Sequence, residues 1–178
     1  MIFRRMLRAA KLEAGLYEEV EADKGATVEA LGAVLFSSLA AGIGISSTGG
    51  GSGFIAGTLG ALAGWAVWAF LTFFLGAKIF PEAQTKADIG ELLRTIGFAH
   101  SPRLILLFGC LHPTLAGFLM LLSFVWTACA MVIAVRQALD YQSTGRAVAV
   151  VVVGGLIQLA VFVGLVVLII GMSAGPGA

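Results

Sequence analysis

Residues 104–135, LILLFGCLHPTLAGFLMLLSFVWTACAMVIAV, contain no Asp, Glu, Lys or Arg. An ionised side chain at the centre of a bilayer costs several kcal/mol, so a bilayer core selects such stretches and water does not. Two more flank it, residues 30–77 and 147–178. The 21 charged residues (11 Lys and Arg, 10 Asp and Glu) are confined to three blocks, 4–29, 78–103 and 136–146. Only 12% of the chain is charged, against about a quarter in soluble domains. Its mean hydropathy is +1.00. The pattern predicts an all-α, polytopic membrane bundle forming one compact domain. A net charge of +1 lacks the concentrated basic surface of a nucleic-acid binder, so no nucleic acid is expected as a partner.

The length of the quoted stretch decides the topology. A crossing helix takes about 20 apolar residues. The 32 residues here exceed one crossing and fall short of two. Backbone in lipid must satisfy its own hydrogen bonds, which excludes a bare half-crossing. Either one long helix crosses, or the chain turns at His112-Pro113 and the preceding helix begins inside the second charged block. Proline lacks a donor and marks such turns. The positive-inside rule favours the turn, because all 11 Lys and Arg then lie on one side or in a helix entering from it. The Ser/Thr/Gly run at 46–53 splits residues 30–77 into two further spans. Five transmembrane helices are expected, at about 27–47, 53–80, 91–111, 115–138 and 147–172. The N-terminus is then cytoplasmic, and residues 173–178 form a short tail outside.

Residues 1–26 read as a cytoplasmic amphipathic segment. Ile2, Phe3, Met6, Leu7, Ala10, Ala14 and Tyr17 recur at helical spacing, flanked by Arg4, Arg5, Arg8 and Lys11. Cations at a helix start oppose its dipole. Attraction to anionic membrane lipids explains them, so an interfacial helix is expected, with Glu18, Glu19, Glu21 and Asp23 farther from the lipid. No apolar h-region follows the arginines, so no signal peptide is expected.

Three stretches resemble the Yip family, whose eukaryotic members are named for interaction with Ypt/Rab GTPases. They are RMLRAAKLEAGLYEEVEAD (5–23), GELLRTIGFAHSP (90–102) and AVRQALDYQSTGRA (134–147). They look most like the short bacterial members. The resemblance implies five transmembrane helices, a cytoplasmic N-terminus and, for a bacterial member, the inner (cytoplasmic) membrane. It supplies a fold and no settled activity.

Several constellations invite chemistry. Arg94, His100 and Arg103 stand on the otherwise apolar third span, and Pro102 frees the carbonyl of Phe98 and predicts a kink. His100 and Arg103 share a face. They form a candidate polar site for an anion, a lipid headgroup or a quinone. Gly53, Gly57, Gly60 and Gly64 form a small-residue stripe that predicts close helix packing. Gln158 is expected to make one interhelical hydrogen bond, and Arg136 and Asp140, four apart, an ion pair. Cys110 and Cys129 read as buried small hydrophobes. Gly50-Gly51-Ser52-Gly53 matches the GxSG of rhomboid-type proteases, with His112 on the same side as a nominal base, but five spans fall short of that core. The expectation is a non-enzymatic organising or accessory protein without metal, cofactor or catalytic residues, a homo-oligomer or a subunit of a larger membrane complex. The alternative is a small permease or a lipid- or quinone-binding protein using the kinked helix.

Overall fold

The computed structural model describes residues 1–49, 54–86 and 88–173, all helices and connecting turns. The first charged block folds as two short helices. α1 (Ile2–Ala10) stops at Lys11, Leu12 adopts φ 62°, and α2 (Ala14–Ala22) follows. A leucine in left-handed backbone is uncommon and here reverses the chain. The pair docks through Met6, Ala9, Leu16, Tyr17 and Val20, which join Leu92, Ile96, Ala134 and Val135 in the main core. The apolar spacing alone predicts one continuous interfacial helix over this segment. The break arises because burying both apolar stripes on one bundle requires the turn at Leu12.

α3 (Ala26–Gly49) and α4 (Phe54–Phe74) follow, and α4 runs into a π turn, Leu75–Ile79. Next come α5 (Ile89–Ala99), a 3₁₀ segment (Ser101–Leu111), α6 (Pro113–Ala138) and α7 (Thr144–Ser173). Four helical stretches are long and apolar enough to cross a membrane: Ala26–Gly44, Leu62–Ile79, Pro113–Ala138 and Thr144–Gly164.

The expected helix over 91–111 is instead a composite of α5 and the 3₁₀ segment, 11 residues each. At 1.5 and 2.0 Å per residue the two span about 38 Å. The 3₁₀ part is about 5 Å longer than the same residues would be as an α-helix. The composite lies alongside α3 and parallel to it. A Cβ on Gly97 would meet Ala30 Cβ at 2.8 Å, and one on Gly44 would meet the Leu106 carbonyl at 1.9 Å. On the far side, a Cβ on Gly109 would meet Ala116 Cα of α6 at 3.2 Å. A 3₁₀ helix is thinner than an α-helix, and the glycines let it slot between α3 and α6. His112 closes the turn, its Nδ1 accepting the Thr114 N–H at 3.2 Å as N-cap of α6.

The three charged blocks meet at one end of the bundle. Arg5 pairs with Glu19, Asp23 and Glu29, and Arg8 with Glu13 and Glu19. The Gln137 side chain donates to Glu18 at 2.8 Å. Glu82 accepts the backbone N–H groups of Gln142 (2.9 Å) and Ser143 (3.2 Å) and lies 3.6 Å from Arg146. Those bonds, led by the one from Gln142, hold its carboxyl below the usual range. The Tyr141 hydroxyl sits between the carbonyls of Gly76 and Phe80, at 2.8 and 2.7 Å, where the π turn opens the ladder. The expected Arg136–Asp140 ion pair is absent among the described residues. Arg136 instead donates to the carbonyls of Tyr141 (3.3 Å) and Gln142 (3.5 Å), so the chain leaving α6 folds back over the guanidinium.

Candidate functional site

The composite segment has a physical consequence for side-chain direction. An α-helix turns 100° per residue and a 3₁₀ helix 120°, so residues three apart stack in line only in the latter. His100, Arg103, Leu106 and Gly109 therefore form one stripe, and it faces inward, with Leu106 and Gly109 buried.

Where this stripe meets α3, α4, α6 and α7 there is a cavity of about 730 Å³. His100 and Arg103 line it together with Trp65 and Trp68 of α4, Thr127 of α6 and Gln158 of α7. Arg94 does not. It is buried on the opposite side of α5, donating through Nε to the Val20 carbonyl at 2.9 Å and through Nη2 to the Glu21 carbonyl. Arg94, His100 and Arg103 thus separate into a structural clamp and a cavity pair.

Depth follows from counting. Thr127 is 11 residues from the Ala138 end of α6, about 17 Å. Gln158 is 14 residues from the start of α7, about 21 Å. Trp68 is 11 residues from Ile79, again about 17 Å. The charged blocks define that end, so the cavity lies halfway along helices built to cross a core about 30 Å thick.

Three polar atoms at the cavity wall are unsatisfied. Trp68 Nε1, Thr127 Oγ1 and Gln158 Oε1 are buried without a hydrogen-bond partner. The bond expected for Gln158 is not made at Oε1, because the residue opposite is Gly64, which has no side chain to offer: a Cβ there would lie 3.4 Å from Gln158 Nε2. The Trp68 indole lies over Gly154 and Gly155 of α7, within 3.6–3.7 Å of where their Cβ atoms would be. Trp65, by contrast, donates to the Leu93 carbonyl at 3.1 Å. His100 Nδ1 is 2.9 Å from the Ile96 carbonyl. A nitrogen facing a carbonyl must carry the proton, which leaves Nε2 as the acceptor in the neutral ring. The Arg103 guanidinium has no ion pair or side-chain hydrogen bond among the described residues, and no Asp or Glu lines the cavity.

The other sequence candidates are distributed as follows. Gly60 and Gly64 line the cavity, and a Cβ on Gly60 would have nothing within 4 Å. Gly57 lies in α4, and Gly53 and the Gly50-Gly51-Ser52 run lie outside the described residues. Arg4 and Lys11 are exposed, whereas Arg5 and Arg8 are engaged by the acids of α2 and its flanks. Phe3 packs against Phe36 of α3 in a tilted arrangement, with ring centroids 5.3 Å apart. Trp126 donates to the Ala10 carbonyl at 2.7 Å. Together these contacts seat α1 against the flank of the bundle, with Met1, Phe3 and Leu7 exposed. Cys110 and Cys129 are exposed rather than buried, on the outer faces of their segments. Among the described residues no group of three or more His, Cys, Asp or Glu could hold a metal.

A separate cleft of about 400 Å³ collects Glu18, Glu21, Glu91, Gln137 and Asp140. Burial, with Asp140 and Glu91 adding repulsion against the opposing Arg94, pushes the Glu21 carboxyl up to about 7.

Sequence reasoning singled out His100 and Arg103 and did not group Trp68, Thr127 and Gln158 with them, although all five line the same cavity. No sequence signal distinguishes the 3₁₀ path, since positions three apart also share an α-helical face. Comparison with family models, with curated proteins and with solved structures gives no match for this chain.

Proposed function

We propose that this chain is a non-enzymatic integral membrane protein with five crossings, a cytoplasmic N-terminus and an outside C-terminus, which holds a membrane amphiphile inside its bundle. One observation carries the reading: a large cavity halfway along the helices, with unsatisfied polar groups on its inner wall and an apolar mouth. Met120, Phe124, Leu159 and Phe162 line that mouth and are all exposed. Ligand cavities characteristically combine apolar walls with a few convergent polar groups, at volumes of about 300–1,000 Å³. Buried polar atoms without partners are rare in folded chains and call for a ligand or water. The fifth crossing is the composite of α5 and the 3₁₀ segment, whose length and parallel register with α3 support it.

Native mass spectrometry of the full chain, released from gently solubilised membranes, tests this. A lipid-like molecule retained in fixed stoichiometry is expected. A chain that carries none, and that no added lipid stabilises, refutes it.

The Yip-type reading adds an organising or accessory role in a bacterial inner membrane. The interlocking of three charged blocks at one end supports it, because that ordered platform is more than five packed crossings require. Exposed Arg4 and Lys11 would face anionic lipid beside it. Affinity purification in mild detergent should recover a stoichiometric partner or a homo-oligomer; a clean monomer counts against this role.

A further inference from the structure

We propose that the cavity takes an acidic amphiphile, whose phosphate or carboxylate oxygens are held by Arg103 while its tail leaves through the mouth between α6 and α7. The inference rests on the amphiphile reading above and names the ligand class. Guanidinium is protonated at any accessible pH and offers only donors. At Arg103 it meets no carboxylate, and two of its lining neighbours add donors: the Trp68 N–H cannot accept and the Thr127 hydroxyl can donate, while Gln158 Oε1 and His100 Nε2 are neutral acceptors. A site with one fixed cation, two free donors and no acid is complementary to oxygen anions, which form the stronger charge-assisted bonds. A cation is repelled there. A neutral quinone would leave the charge uncompensated halfway along the bundle, where an unpaired charge is least tolerable. The apolar mouth decides between a water-borne anion and one attached to a hydrocarbon tail. Phe124 is 73% exposed and Phe162 63%, at the depth of acyl chains.

The test uses the full chain in nanodiscs, with intrinsic tryptophan fluorescence as readout, since Trp65 and Trp68 line the cavity. Brominated phosphatidylglycerol or brominated oleate, doped into phosphatidylcholine, should quench the wild type. Brominated phosphatidylcholine carries a phosphate too but offsets it with its own choline cation, which a donor-rich site without an acid repels, so it should quench about tenfold more weakly at equal dose. The phosphatidylglycerol and oleate arms separate a phosphate headgroup from a carboxylate.

Arg103→Gln should abolish the preference for the acidic lipid, and Arg103→Lys should restore part of it. The sign of the stability change is a second readout. In phosphatidylcholine alone, Arg103→Gln should raise Tm, because it removes an uncompensated charge. With phosphatidylglycerol present, the wild type should gain stability and the variant should not. Trp68→Phe keeps the ring and removes the donor. Because it also removes one of the two reporters, it is read by Tm: its stabilisation by phosphatidylglycerol should fall a few-fold, and it serves if Arg103→Gln does not fold.

Equal quenching by neutral and acidic lipid overturns the acidic class while leaving amphiphile binding intact. No quenching by any lipid overturns both. Stabilisation by inorganic phosphate alone, to the same extent as by phosphatidylglycerol, overturns the tail.

Discussion

Arg94 offers the sharpest test of how the N-terminal pair is held. It is 5% exposed, and it donates to the carbonyls of Val20 and Glu21. Those carbonyls belong to the last turn of α2, which ends at Ala22, so they have no partner within their own helix. The guanidinium therefore caps α2 from a neighbouring helix and opposes its negative end. α2 has only nine residues, too few to persist alone in water. Hydrogen bonds from a charged donor contribute about 1.5–3 kcal/mol each. Arg94→Met keeps the apolar stem and removes both bonds, so α2 should lose about 3–5 kcal/mol of local stability. Amide hydrogen exchange measures this directly. Protection over α2 should fall by at least a hundredfold, since about 1.4 kcal/mol is tenfold, while α6 and α7 stay unchanged. Lipid retention in the cavity should also persist, because Arg94 does not line it. Unchanged exchange over α2, or an equal loss in every helix, would refute the capping argument.

Two further outcomes follow from the same packing. Glu21 is raised in the folded state from an ordinary 4.5 to about 7, by burial first and by Asp140 and Glu91 next. Its protonated form stabilises the fold below the unfolded pKa of 4.5, and that stabilisation is lost as pH rises through about 7. Glu21→Gln should thus flatten the fall in Tm between those pH values and leave the variant more stable than wild type at pH 8. A wild-type slope that survives the substitution would rule this out. Gly44 and Gly60 form a contrasting pair. Gly44→Val drives a Cβ to within 1.9 Å of the Leu106 carbonyl, so the 3₁₀ segment must shift, at a cost of about 1–3 kcal/mol or more. Gly60→Ala meets nothing within 4 Å and should gain up to about 1 kcal/mol from helix propensity. Thermal unfolding of the two variants should therefore move in opposite directions.

Much of the architecture was legible because charge is expelled from lipid. The three charge-free stretches located α3, α4, α6 and α7, and Pro113 located the turn at His112. The break at Leu12 was not legible, since the apolar spacing of α1 and α2 fits one helix as well as two, and only docking on Leu92 and Ile96 distinguishes them. Nor was the fate of Arg5 and Arg8. Reading the basic residues for lipid and the acids as solvated treated them as separate, whereas the hairpin at Leu12 brings them face to face. The Arg136–Asp140 expectation failed for a related reason: Asp140 lies past the end of α6, at φ 53°, where helical spacing no longer applies.

The candidate site was half legible, and the missing half lies in a single change of helical pitch. Pro102 removes the donor that would have continued α5, and Gly44 and Gly109 admit a thinner helix where side chains would forbid any. Three residues at 120° make a full turn; at 100° they fall 60° short. Had the segment stayed α-helical, Arg103 and Leu106 would diverge by that angle, and the run to Leu111 would be about 5 Å shorter. The 3₁₀ path keeps His100, Arg103, Leu106 and Gly109 in register, so the same change of pitch that lengthens the segment also turns Arg103 inward, toward Trp68, Thr127 and Gln158. The inward aim of Arg103 is then a consequence of that pitch, and its lack of a carboxylate partner among the described residues is what the proposed ligand would answer.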